Sequence, residues 1–133
     1  MKNKKLKLLE ETILYYSENP LRRCRETFDG ESQCFYDGSR NSLAESDGCA
    51  VGRLLPQELK IHLDDNYTFN QLCAGVDDIF DLLPDDIKAY GLTFLSDLQV
   101  LHDNSDYWDE NGLTETGKAC ASRIKTEIEN NLI

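Results

Sequence analysis

The sequence predicts a mainly α domain, α+β in class, with one short two-stranded β-hairpin. Three observations predict it. Apolar residues recur at helical spacing in an N-terminal, a central and a C-terminal segment. Three Asp-Gly pairs crowd between residues 28 and 52 and bracket two short strand-like pieces. A length of 133 residues suits a single domain over 1–133, large enough to bury about two thirds of its unfolded surface without a metal or a disulfide.

The first helix is expected over 3–17, where Leu6, Leu9, Ile13 and Tyr16 form one stripe. Asn19-Pro20 ends it, because the residue before a proline is pushed out of the helical region. Lys2, Lys4, Lys5 and Lys7 crowd the helix start, the unfavourable end of the dipole for cations. Gln33-Cys34-Phe35-Tyr36 and Cys49-Ala50-Val51 are the expected strands, with a long polar loop around 37–48 between them. Strands this short need a helical layer to cover them.

Two proline-started helices follow. Leu54-Leu55-Pro56-Gln57-Glu58-Leu59-Lys60 is echoed at Leu82-Leu83-Pro84-Asp85-Asp86-Ile87-Lys88. In both, proline stands at the tolerated first turn and acids follow where the dipole favours them. A short helix is expected over 71–82 around Leu72, Val76, Ile79 and Phe80, and another over 93–103 carrying Phe94, Leu95, Leu98, Leu101 and His102. Asp103 to Gly112 is expected as a polar loop that holds Tyr107 and Trp108. The last helix covers 115–131, capped by Thr114, with Cys120, Ile124, Ile128 and Leu132 in line. The expected core is Leu6, Leu9, Ile13, Phe35, Val51, Leu59, Ile79, Leu95, Leu98, Ile124 and Ile128.

Charge separates function classes. The chain carries 14 basic and 25 acidic residues, a formal net charge of −11. That balance argues against contact with a nucleic-acid phosphate backbone and against docking on anionic lipid. Residues 1–25 sum to +4 and residues 26–117 to −16, so the acidity belongs to the middle of the chain. Glu10 and Glu11 interrupt any apolar signal-peptide core after the basic start, and no apolar run approaches a membrane span. A cytoplasmic location is expected. The five cysteines, Cys24, Cys34, Cys49, Cys73 and Cys120, are odd in number and scattered, as free thiols in a reducing compartment would be.

Cofactor chemistry finds little footing, and no cofactor or metal is expected. No C-x-x-C pair accompanies His62 and His102, whereas structural zinc sites show close paired ligands. Asp103 to Gly112 has acids without the alternate spacing of a calcium loop. Gly48 and Gly52 match no phosphate-cradling loop. One nucleophilic arrangement is conceivable: Cys49 beside a turn, with His102 as base and Asp103 next to it. Against it, His102 falls on the apolar stripe of its helix, and adjacent residues need a turn before one can orient the other.

Two stretches, Gly48-Cys49-Ala50-Val51-Gly52-Arg53-Leu54-Leu55-Pro56 with Glu58-Leu59, and Leu95-x-x-Leu98-Gln99-x-x-His102-Asp103, resemble a loose group of small bacterial and phage-borne proteins. In that group a hairpin ending in C-A-[IV]-G leads into a proline-started helix, and a later helix ends in L-Q-x-x-H-D. The likeness covers residues 34–108. It leaves out the helix at 115–131 and the loop at 37–48. It implies the fold and a mobile-element origin, and it assigns no catalytic residue.

The leading expectation is a small acidic, non-enzymatic binding protein that masks a basic protein partner, of the inhibitor, immunity or anti-defence kind. Opposite potentials speed encounter and select partners. The expected contact residues are the pairs Asp64-Asp65, Asp77-Asp78, Asp85-Asp86 and Asp109-Glu110, with the loop aromatics Tyr107 and Trp108. The acids should share a face opposite the Lys-rich first helix. The alternative is a cysteine-dependent enzyme built on Cys49, His102 and Asp103.

Overall fold

Helix α1, Lys2–Glu18, turns Leu8, Leu9, Thr12 and Tyr16 inward. The expected stripe is therefore rotated by part of a turn, and Leu6 and Ile13 only flank the core. Thr12 is tolerated inside because its Oγ1 donates to the Leu8 carbonyl at 2.7 Å. The computed structural model describes the backbone of residues 1–19, 22, 25–28, 31–34, 48–66 and 77–133, with side chains except at 25–28, 31–34, 64–66, 77 and 78.

The domain is mainly helical with a short two-stranded antiparallel hairpin, as expected, but the hairpin is displaced. Strand β1, Arg25–Phe28, pairs with β2, Glu31–Cys34, with Phe28 opposite Glu31. Asp29-Gly30, which stands between the two strands in the sequence and lies outside the described residues, is the strongest kind of short hairpin signal. Cys49-Ala50-Val51 is not a strand. It forms a tight turn leading into a 3₁₀ turn at Gly52–Leu54, with the Arg53 and Leu54 amides bonded to the Cys49 and Val51 carbonyls. Phe35, Tyr36 and the loop at 37–47 lie outside the described residues.

Helix α2, Gln57–Asn66, follows Pro56, and α3, Asp77–Leu82, leads through Leu83 and Pro84 into α4, Asp85–Lys88. Both proline-started helices are present. The expected helix at 71–82 is described only from Asp77 onward. Helix α5, Leu92–Asp103, begins after Gly91, whose φ of 87° lies in the region that favours glycine. Phe94, Leu95, Leu98, Gln99, Leu101 and His102 are all buried, so α5 is covered on more than one side.

The expected polar loop is more ordered than its composition suggests. A second 3₁₀ turn at Ser105–Tyr107 precedes β3, Trp108–Asp109, which pairs with β4, Gly112–Leu113. Helix α6, Glu115–Glu129, is capped as expected, with Thr114 Oγ1 accepting from the Gly117 amide at 3.1 Å. It packs on α1, α5 and the second 3₁₀ turn through Gly117, Cys120, Ala121, Ile124 and Ile128. Leu132 does not join that row. The helix ends at Glu129, Asn131 turns left-handed, and Leu132 is 71% exposed.

Of the expected core, Leu9, Val51, Ile79, Leu95, Leu98, Ile124 and Ile128 are buried, and Leu59 packs at its edge. Each such large aliphatic contributes about 1.5–3 kcal/mol by leaving water.

Candidate functional site

Both residue sets singled out by the sequence can be located. The first surrounds the turn at Gly48 to Gly52. Gly48 has a φ of 116°, which allows the chain to enter this turn. The turn is packed too deeply for water to serve its backbone, so side chains do so instead. Tyr16 of α1 donates its hydroxyl to the Gly48 carbonyl at 2.6 Å. The Val51 amide donates to Gln99 Oε1 at 3.1 Å, and the Gly52 amide donates to Cys49 Sγ at 3.4 Å.

Gln99 carries the network into α5. Its Nε2 donates to Asp103 Oδ1 at 2.9 Å, and the same oxygen lies 2.6 Å from His102 Nδ1. His102 and Asp103 meet directly because they occupy the last turn of α5, so the expected obstacle between neighbours is absent. The His102 ring packs edge-on against Tyr16 at 4.9 Å between centroids. Tyr16 thus links the Gly48 turn with the imidazole. The parts are nevertheless enclosed: Cys49 is 1% and His102 0% exposed.

Trp108 belongs to this interior and is withdrawn from the candidate surface. Its indole Nε1 donates to the Leu101 carbonyl at 2.7 Å, and its ring lies 6.1 Å from Tyr16. The reason is the β3–β4 ladder, which points Trp108 inward and leaves Asp109 outside. Tyr107 is half-buried against the core. Its phenol is pushed above the ordinary tyrosine value, first by charge on the neighbouring Cys120 thiol and then by burial.

The second set is acidic. Asp81, Asp85 and Asp86 on α3 and α4, and Asp109 and Glu110 on the β3–β4 turn, are exposed. None has a salt-bridge partner among the described residues. Asp109 only caps its own turn, accepting from the Asn111 amide at 2.8 Å. The side chains of Asp64, Asp65, Asp77 and Asp78 lie outside the described ones. The expected opposition to the Lys-rich helix does not hold for α4. Asp86 and Ile87 line the same cavity of about 480 Å³ as Lys4, Lys7 and Leu8 of α1. Apolar contact of Leu8, Leu54 and Ile87 with the core draws α4 to the basic end of α1.

Two features were missed in the sequence. Gln99 was visible as a polar residue on an apolar stripe beside Leu98, a pattern that signals a buried hydrogen bond. The other is a stack in which the Arg22 and Arg53 guanidiniums each lie 4.8 Å from the centroid of the Tyr15 ring. No spacing rule connects those three positions.

Among the described residues, no three metal-ligating side chains converge, and no helix is long and apolar enough to cross a membrane. Comparison with known proteins finds no matching family, no matching curated protein and no matching solved structure.

Proposed function

We propose that this chain is a small acidic, non-enzymatic binding protein of the cytoplasm that masks a basic protein partner. The observation that supports the reading is that Asp81, Asp85, Asp86, Asp109 and Glu110 are exposed and have no salt-bridge partner among the described residues. A partner surface that covers α4 also meets Lys4 and Lys7, so it is basic with a neutral or acidic margin. The cysteine-enzyme alternative has less support, since a nucleophile must reach its substrate and both Cys49 and His102 are enclosed.

The test is capture from the native host at low and at high salt, with the wild-type chain and with a variant carrying Asp85→Asn, Asp86→Ser, Asp109→Asn and Glu110→Gln. A basic protein held by the wild type at low salt, released at high salt and lost by the variant supports the reading. Capture that is indifferent to both salt and the substitutions overturns it.

A further inference from the structure

We propose that the groove between the start of α1 and α4 is a contact surface for a second copy of this chain, the two copies related by a two-fold axis along the groove. This goes beyond the masking of a basic partner and does not rest on it.

The groove is the cavity of about 480 Å³ lined by Lys4 and Lys7 of α1 and by Asp86 of α4. Leu8 and Ile87, 5% and 7% exposed, form its apolar floor, and Met1, 50% exposed, adds apolar surface. Lys4 and Asp86 are exposed and line one groove, yet neither has a salt-bridge partner among the described residues. Lys7 lies 4.0 Å from Glu11 with both side chains largely in water. Such a pair contributes little, so Lys7 can turn to another acid.

The arrangement of charge selects the occupant. A uniformly acidic surface laid on the groove would meet Asp86, and a uniformly basic one would meet Lys4 and Lys7. Like charges brought together are costly, so either surface is disfavoured. The surface that fits presents both signs in reversed order. A second copy does so after a half turn about the groove, which brings Lys4 and Lys7 of each copy to Asp86 of the other. A contact of this kind is isologous, and a single patch closes the dimer. The lysine stems can lie along the apolar floor while their ammonium groups reach the opposing acids. Repulsion between two chains of net charge −11 opposes the contact. At 0.15 M salt, however, charges act over about 8 Å, so opposed pairs at the rim outweigh acids that stand farther apart.

The experiment is sedimentation velocity of the full chain alone, in about 0.15 M salt, at concentrations up to about 1 mM, the weak end of specific association. The expected result is a wild type that shifts from monomer to dimer as concentration rises. Lys4→Glu with Lys7→Glu should raise the dimer dissociation constant at least tenfold, and so should Asp85→Lys with Asp86→Lys. An equimolar mixture of these two variants should restore the dimer, because the reversed α1 of one meets the reversed α4 of the other. Both variants remain net acidic, so their association reports the local match rather than overall attraction. A wild type that stays monomeric overturns the proposal, as does a dimer that either reversal leaves unchanged or a mixture that stays monomeric. If the aspartate reversal loses helical circular dichroism, Asp86→Asn replaces it; a weakened dimer supports the proposal and an unchanged one overturns it. No partner is present in the cell, so a monomeric result leaves the masking of a basic protein as it stood.

Discussion

The C-terminal end of α5 and the start of α4 use aspartate in opposite ways. At α5, Asp103 is 11% exposed and one of its oxygens meets both Gln99 Nε2 and His102 Nδ1. At α4, Asp85 and Asp86 stand in water with no charge partner among the described residues, favoured only by the helix dipole. The first aspartate completes an interior network, whose failure would strand buried donors. The second is replaceable for folding and, under the proposed function, meets a partner. A residue's chemistry is the same in both places, and the difference comes from what the chain closes over it.

The comparison is broken most forcefully at the interior, by Gly117→Ala. In an ordinary helix this change stabilises by about 0.5–1 kcal/mol. Here the new Cβ would stand 2.2 Å from the Tyr107 carbonyl oxygen and 2.9 Å from Leu113 Cδ2. The nearer obstacle is backbone, so α6 or the second 3₁₀ turn must move, and such overpacking costs about 1–3 kcal/mol or more. A net loss of about 2 kcal/mol in urea unfolding is expected. A gain in stability would mean that α6 does not approach that turn closely.

Much of this interior was legible in the sequence. The stripes of α5 and α6 and the Thr114 cap follow from spacing, because a helix that buries one face must repeat every three or four residues. The hairpin was misplaced for a physical reason. Three Asp-Gly pairs offered similar turn chemistry, and local signals do not say which of them is flanked by pairing strands. Cys49-Ala50-Val51 read as strand because it is short, apolar and flanked by glycine. The backbone of the turn is in fact served from a distance in sequence, Gly48 by Tyr16, 32 residues away, and Val51 by Gln99, 48 residues away. The Arg53 stack on Tyr15 was illegible for the same reason, since contact between distant segments leaves no periodicity. The acids of α4 were legible as helix-start residues, while their closeness to Lys4 and Lys7 depended on how α4 packs.

Gln99→Leu sharpens the contrast at the network itself. The substitution keeps the volume and removes the acceptor of the Val51 amide along with a donor to Asp103. A loss of about 1–3 kcal/mol is expected, read from the denaturation midpoint. Glu110→Gln on the surface should stay within about 0.5 kcal/mol in the same assay. Equal effects would erase the distinction between the two regions.

Asp97 lies between the two regimes. Burial, the largest influence, raises its pKa, Glu127 adds to that, and Arg123 at 3.9 Å opposes it without prevailing. The native state therefore holds this proton more tightly than the unfolded chain does. Its contribution to stability should rise as pH falls through the native value and level off below the ordinary aspartate range. Asp97→Asn should remove that slope, so its advantage over wild type is greatest near neutrality and shrinks toward about pH 4. Paired unfolding curves across that range measure it, and a difference that grows on acidification would reverse the assignment.

A mild effect on folding, and a large one on association, is expected where the proposed function lies. Asp85→Asn with Asp86→Ser removes two charges from the first turn of α4, at a cost of a few tenths to about 1 kcal/mol each through the helix dipole. Pro84 still begins the helix, and Ile87 still anchors it in the core. Association with a basic partner should respond differently. Exposed charges act over about 10 Å at 0.1 M salt, so the double variant should slow the on-rate while leaving the dissociation rate nearly unchanged. Added salt should slow the wild type toward the variant. If the variant lost well over about 2 kcal/mol, more than two helix-dipole contributions account for, α4 would belong with the interior after all, and its acids would be structural rather than available to a partner.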